Sequence, residues 1–437
     1  MDSPGMDNPV LDFLRRDAVS GPQTRPQSLD ELDVPTGLLE ELVLKTLYAS
    51  GTQTGVELSD RLLLSYSVTN ELFERLRKEQ CCQATGMIGN VPQIAITQAG
   101  RTRAADLMVQ SRYLGPAPVS FENYCAQVRR QSVKNVNVHA ADMARAFADL
   151  VVDPEMLRQL GTALNSGSSL FLYGPSGTGK TTFAEVLSRA AAQDAVWIPH
   201  AIELDGQIIT IFDPSLHTVA TKTGTHSSDP RWVLCQRPAV LVGGELTAEM
   251  LDLQFNPVSK YYIGPVQMKA NNGVLIIDDF GRQRLRPEEL LNRWIVPLDR
   301  RIDFLTMAGG KKLEIPFETM VVFASNIDPA DLVDPAFIRR IKTKIRVGAV
   351  TDEQFCEIFA RVACQNHVQY DASIPRDLIL YIRGYLKQEL RSCYPRDIVE
   401  QVCWAARYDN REPYIDRVAL DQAIRAYFVD GGPVARG

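Results

Sequence analysis

The sequence predicts an α/β protein, a parallel sheet wrapped by helices, and three observations carry the prediction. From Ser168 to about residue 346, short apolar runs of strand character (SLFLYG, AVWIPHA, GVLIIDD and TMVVFASN) alternate with helical segments, the pattern of β-α-β units. A glycine-rich run, 174–181, joins the first of these strands to a helix. The run VLII at 274–277 is apolar throughout, as a strand buried on both faces should be, and it ends in Asp278 and Asp279.

The remaining elements follow in order. Residues 1–33 are rich in Asp, Pro, Ser and Gln with few large apolar groups, so a flexible tail is expected. Residues 34–113 read as a small winged helix-turn-helix. LLEELVLKTLYAS, VELSDRLLL and VTNELFERLRKEQ supply three helices, two short strands meet around Gly89-Asn90, and a helix follows ITQAG. Residues 114–150, opening near the Pro- and Gly-bearing YLGPAPVS, read as a linker and helices. Residues 151–348 make the sheet domain, with an insertion at about 205–260. Residues 349–437 make a small α-helical lid, from the helical patterns EQFCEIFARVACQ, DLILYIRGYLKQEL, DIVEQVCWAARY and ALDQAIRAYFV.

At 437 residues the chain can hold two or three domains. A formal net charge of −6 offers no global attraction for nucleic acid or an anionic membrane, so any such contact must be local. No stretch approaches the ~18 consecutive apolar residues that cross a bilayer. The N-terminus MDSPGMDNPVLDFLRR lacks the apolar core of a signal peptide, and a cytoplasmic location is expected. The eight cysteines form no CxxC pair, which argues for reduced thiols rather than a zinc site or a disulfide framework.

The chemistry is carried by two elements. Gly174, Pro175, Ser176, Gly177, Thr178, Gly179, Lys180 and Thr181 fit G-x-x-x-x-G-K-[ST], in the strand-before, helix-after context that the motif requires. There the glycines let backbone N–H groups curl around a phosphate and the helix N-terminus adds its dipole. Lys180 reaches the β- and γ-phosphates and Thr181 ligates Mg²⁺. These eight residues, with Thr182, are the expected ATP-binding set. A glycine turn with a solvated lysine is the plainer alternative, and the flanking strand and helix weigh against it. The second element is the acidic pair. Ligands of open α/β sheets bind at the carboxyl ends of strands, which places Asp278 to hold Mg²⁺, directly or through water. Asp279 is then placed to orient or deprotonate the attacking water. Two solvated aspartates after a core strand would be the plainer reading, and the upstream phosphate loop weighs against that.

With these residues the module resembles AAA+ ATPases over about residues 150–430. It is closest in look to the MoxR-like ones and to the bacterial group described as ATPases with chaperone activity associated with pilus assembly. GVLIIDDFGRQR, LLNRWIVPL and DPAFIRRI are in the style of that second group. The resemblance implies that Asn326, ending the FASN strand, is the sensor-1 residue that positions the hydrolytic water. It implies that Arg339 or Arg340, with Arg340 favoured, is an arginine finger acting on ATP held by a neighbouring subunit. Arg396 in YPRDIVEQV matches the lid's sensor-2 arginine, which would touch the γ-phosphate. A finger in trans implies a homo-oligomer, with a hexameric ring expected. A strand cap at Asn326 and a solvated helix face at Arg339-Arg340 are the alternatives.

Two features depart from the family pattern. The usual Asp-Glu pair is Asp278-Asp279 here, one methylene shorter at the presumed catalytic side chain. And 98 residues separate Lys180 from Asp278, several tens more than most such cores need, so the extra chain must form an insertion. Within it, Tyr261-Tyr262-Ile263-Gly264 has the look of a substrate-gripping pore loop, but a plain packing role is favoured. FLTMAGGKKLEIP reads as a hairpin turning at Gly309-Gly310, and its place before sensor 1 resembles the hairpin that MoxR-like and helicase-type members project toward their pore.

The expected function is a chaperone-like ATPase that remodels or assembles protein partners, with the winged helix for docking. The rivals are a DNA-associated ATPase (initiator, helicase or transcription regulator) and a slow nucleotide-dependent switch. Residues 1–115 carry 11 Lys/Arg against 15 Asp/Glu, whereas a winged helix that neutralises many phosphates should be basic. Protein docking is therefore preferred to nucleic acid. The GAFTGA loop of enhancer-binding activators is also absent.

Overall fold

The computed structural model describes residues 24–192, 194–220, 228–332 and 338–428. The expected flexible tail falls largely on 1–23, outside the described residues. The α/β architecture is present. A five-stranded parallel sheet has the order Ala239–Val242, Val274–Ile277, Met320–Ser325, Leu170–Tyr173, Thr343–Arg346. Leu170–Tyr173 is flanked on both sides by parallel partners, Val322 lying opposite Leu170 on one side and Thr343 on the other. Strands from distant parts of the chain thus bracket the one that feeds the phosphate loop.

The expectation for AVWIPHA needs correction. Ala195–Pro199 is a strand, but it pairs antiparallel with Trp232–Gln236 in a sheet of two. The remaining places in the main sheet go to Ala239–Val242 and Thr343–Arg346. An apolar run announces a buried strand and is silent on its partner.

The chain divides into two compact units. The first comprises Met1–Asn137, Ala191–Ile276 and Gln283–Val321. It opens with helices Thr36–Ser50, Gly55–Leu62 and Tyr66–Lys78, the hairpin Cys82–Ile88 with Val91–Ile96, and helix Gln98–Gln110. Thr54 and Glu57 cap the second helix reciprocally and Ser65 caps the third, which sets their starts. Leu42, Val43, Leu58, Leu72, Leu76 and Ile94 are buried together in the core between them. Leu29 joins this core, and Asp33 accepts from the Ser120 N–H and from Asn123 Nδ2, both at 2.7 Å.

The same unit holds a second sheet, in the order Gln254–Phe255, Tyr262–Ile263, Gln207–Thr210, Ala201–Leu204, Val119–Ser120. The expected hairpin is there, Ile302–Thr306 pairing with Lys312–Pro316, and both Gly309 and Gly310 have positive φ at its turn. Tyr262 is buried and its hydroxyl accepts from the Ala308 N–H at 2.9 Å, in keeping with a packing role.

The second unit comprises Val138–Ala190, Ile277–Arg282 and Val322–Gly437. Its C-terminal part packs helices Asp352–Gln365, Ile374–Leu380, Cys393–Tyr408 and Arg417–Tyr427 around Phe355, Phe359, Leu378, Ile398, Val402 and Leu420. A Thr351/Gln354 capping box starts the first of these helices and Asp416 caps the last. Among the described residues no helix is long and apolar enough to cross a membrane. All eight cysteines are free.

Candidate functional site

Every residue of the site described here belongs to the second unit. Strand Leu170–Tyr173 ends at Gly174, whose φ of 145° suits glycine, and a Cβ there would lie 2.1 Å from the Val347 carbonyl oxygen. Only a residue without a side chain lets the loop leave the sheet at this point. The Thr178 hydroxyl donates to the Pro175 carbonyl at 3.0 Å and closes the loop, and helix Lys180–Ala191 begins at once. Lys180 is buried and donates to the carbonyls of Gly174 (3.0 Å) and Pro175 (2.8 Å). Burial pulls its ammonium below the ordinary lysine value, while Asp278 and Asp279 pull the other way.

The acidic pair follows strand Val274–Ile277. Thr181 Oγ1 donates to the Asp278 carboxylate, with Oδ1 at 2.9 Å and Oδ2 at 3.0 Å. Asp279 has a left-handed backbone, φ 48°, a conformation uncommon outside glycine though tolerated by Asp. The turn is held from behind: the Phe280 N–H donates to the Ala324 carbonyl (2.8 Å), the Ser325 hydroxyl donates to the Phe280 carbonyl (2.6 Å), and the Phe280 ring packs on Phe171 and Phe323. Asn326 Nδ2 donates to Asp279 Oδ1 at 3.2 Å. Sensor-1 candidate and second aspartate therefore face each other across 47 residues of sequence.

These groups line one cleft of about 700 Å³, together with Ser176 to Thr182 and Arg396. Hydroxyl and carboxylate oxygens at Thr181 and Asp278 are the donor set a Mg²⁺ ion takes. Arg396 makes two bonds to Asp397 Oδ1. Arg339 is exposed and Arg340 half-buried, and neither lines this chain's cleft. Residues 334–337 of DPAFIRRI are outside the described set.

Sequence reasoning missed the apolar part of the cleft lining. Leu150, Val151, Met156, Ile358 and Val362 give it apolar walls, suited to a flat heterocycle. Arg361 Nη1 donates to the Ala148 carbonyl at 2.7 Å and ties helix Asp352–Gln365 to the 148–151 stretch. The one signal available was the half-buried pair Ile358 and Val362, four residues apart on that helix. Ser392 and Cys393 also line the cleft, and both bond the Gly177 carbonyl.

A family model described as "Domain of unknown function (DUF8689)" matches residues 351–426. No curated protein matches the chain. Among solved structures, a RuvB variant of Thermotoga maritima resembles it at 13% identity and a TM-score of 0.37, over 69% of this chain and 74% of that one. NtrX from Brucella abortus in complex with ATP does so at 13% identity and 0.37, over 83% and 65%. The RuvB Holliday junction branch migration motor of Thermotoga maritima does so at 15% and 0.35, over 74% of each. At these scores the likenesses add no weight to the geometry.

Proposed function

We propose that this chain is an ATPase of the AAA+ type that works as a homo-oligomeric, hexameric ring in the cytoplasm and remodels or assembles protein partners. The observation that carries the ATPase reading is the contact of Thr181 with Asp278 beside Lys180 and the glycine loop. It brings together residues 97 apart in sequence, with Asp279 and Asn326 alongside, which supports a phosphate and Mg²⁺ centre here. The loop N–H groups and Lys180 would hold the β- and γ-phosphates of ATP, and the apolar part would take the base. Thr181 and Asp278 would hold Mg²⁺, which neutralises charge on the phosphates when bound. Asp279, steadied by Asn326, orients a water and accepts its proton as the water oxygen bonds to the γ-phosphorus. The bond from that phosphorus to the bridging oxygen breaks, and ADP and phosphate leave.

Two further observations support the finer parts. Arg339 and Arg340 stand outside this chain's own cleft, as a finger serving a neighbour must. In the N-terminal helix and hairpin module, read as a winged helix, Arg75 pairs with Glu40 (2.7 Å), Arg77 with Glu74 (2.8 Å) and Arg103 with Glu79 (2.6 Å). Cations already paired to carboxylates are poor phosphate ligands, which supports docking to protein rather than to nucleic acid. ATP binding and steady-state hydrolysis of the wild type and Lys180→Ala, with and without Mg²⁺, test the ATPase reading. Mg²⁺-dependent turnover that vanishes in the variant is expected, and equal turnover in both proteins would reject it.

A further inference from the structure

Arg361 and Arg396 are the lid cations that line the cleft among the described residues. Arg361 is taken up by the Ala148 carbonyl and Glu357, whereas the Arg396 side chain is 61% exposed, and a long exposed arginine samples many rotamers. Two sets of contacts limit Arg396. The start of its helix is bolted to the phosphate loop: the Gly177 carbonyl accepts from the Cys393 N–H at 3.1 Å and from the Ser392 hydroxyl at 3.2 Å. A Cβ on Gly177 would come within 2.5 Å of Cys393 Sγ, so the approach is as close as glycine allows. One turn further along the helix, Asp397 Oδ1 accepts from Arg396 Nε (3.1 Å) and Nη2 (3.0 Å). The other carboxylate oxygen, Oδ2, accepts from the Tyr427 hydroxyl at 2.7 Å. Tyr427 is itself set edge-on against Phe428 at 4.8 Å and Tyr394 at 6.0 Å.

We propose that Asp397, anchored by Tyr427, is a positioning residue that presents Arg396 to the terminal phosphate of the bound nucleotide. The carboxylate engages the Nε and Nη2 edge of the guanidinium, and Nη1 remains for the phosphate. The gain is preorganisation: rotamer freedom is lost before the nucleotide arrives rather than on binding. The inference rests on the reading of Arg396 as the γ-phosphate contact, and it adds that discrimination between ATP and ADP depends on two residues that touch neither.

The test is the ratio of ATP to ADP affinity, by titration of the full chain with each nucleotide and Mg²⁺, for Arg396→Ala, Asp397→Asn, Tyr427→Phe and the double variant Arg396→Ala/Asp397→Asn. Thermal midpoints are taken alongside. Asp397→Asn should lower the ratio about tenfold, because the charge that holds the guanidinium is removed, and Tyr427→Phe about threefold, because it acts only through that carboxylate. ADP affinity should hold, and the double variant should lose no more than Arg396→Ala. A ratio lowered by Arg396→Ala but unmoved by Asp397→Asn overturns the positioning role and leaves Arg396 in place. A ratio unmoved by Arg396→Ala overturns the reading of Arg396 and the inference with it. If Asp397→Asn does not fold, Tyr427→Phe decides alone: an unchanged ratio rejects the relay.

Discussion

Both units bury charged or titratable side chains, and they put them to opposite uses. In the first unit Arg231 and His217 are satisfied by the protein. Arg231, only 4% exposed, meets Asp229 at 2.8 Å, Asp33 at 2.9 Å and the Pro118 carbonyl at 2.9 Å. His217 Nδ1 accepts from the Asp213 N–H at 3.0 Å while Nε2 meets the Lys269 carbonyl at 2.8 Å, which selects the neutral Nε2–H tautomer. In the second unit Lys180, Thr181, Asp278, Asp279, Asn326 and Arg396 all converge on one open cleft. Residue type does not separate the two cases. Convergence on empty space does.

The contrast can be broken by variants that should act on turnover in one place and on stability in the other. The largest effect is expected at Arg340: Arg340→Ala should cut turnover ~10³-fold or more with ATP affinity nearly intact. Mixing it with Lys180→Ala should restore some activity, because each subunit supplies what the other lacks. No rescue, with a monomer in sedimentation with ATP, would remove the trans-acting finger. Next is Arg231→Met, which leaves Asp229 and Asp33 without their cation. Removing one partner of a buried pair costs about 3–5 kcal/mol, to be read in the urea midpoint, and a cost below about 1 kcal/mol would show that water replaces the guanidinium.

The smallest effect is acid-dependent. Burial holds the His217 imidazole below its ordinary value, so the unfolded chain binds a proton that the folded one resists. That contribution is complete above about pH 6.5 and is lost as pH falls below it. Asp213 works lower down: burial opposes its charge, but Lys269 and Ser215 outweigh that and bring its carboxyl to about 2. A loss of thermal midpoint between about pH 7 and 5 therefore belongs to His217 together with His200, whose imidazole burial also holds below its ordinary value, and His217→Gln should lessen it. An unaltered pH slope would place the titration elsewhere.

How much of this was legible in the sequence follows from the same contrast. The phosphate loop is nine consecutive residues whose backbone geometry is written locally, so Gly174 to Thr182 could be read directly. Asp278 and Asp279 could be read because an apolar strand delivers them, and the Gly309-Gly310 hairpin because turn chemistry is local. Leu150, Met156, Ile358 and Val362 meet only through the topology, and no short pattern encodes that. Ala195–Pro199 was legible as a strand but not as one outside the main sheet, since its partner, Trp232–Gln236, is chosen by the insertion. The left-handed backbone of Asp279 was also hidden: nothing in Ile-Ile-Asp-Asp-Phe-Gly announces which aspartate takes it.

That backbone matters because strained positions cluster where geometry serves chemistry, and here it belongs to the shorter acid. A base must come within about 3 Å of its water, directly or through one more water, and the turn at Asp279 with its Asn326 bond is the feature that would supply the reach. The most direct test is therefore steady-state hydrolysis beside nucleotide affinity in Asp279→Asn, with Asp278→Asn as its counterpart. Asp279→Asn should keep ATP and Mg²⁺ binding and nearly abolish hydrolysis, while Asp278→Asn should weaken the Mg²⁺-dependent binding itself. Undiminished hydrolysis in Asp279→Asn would contradict this expectation and remove Asp279 from the mechanism.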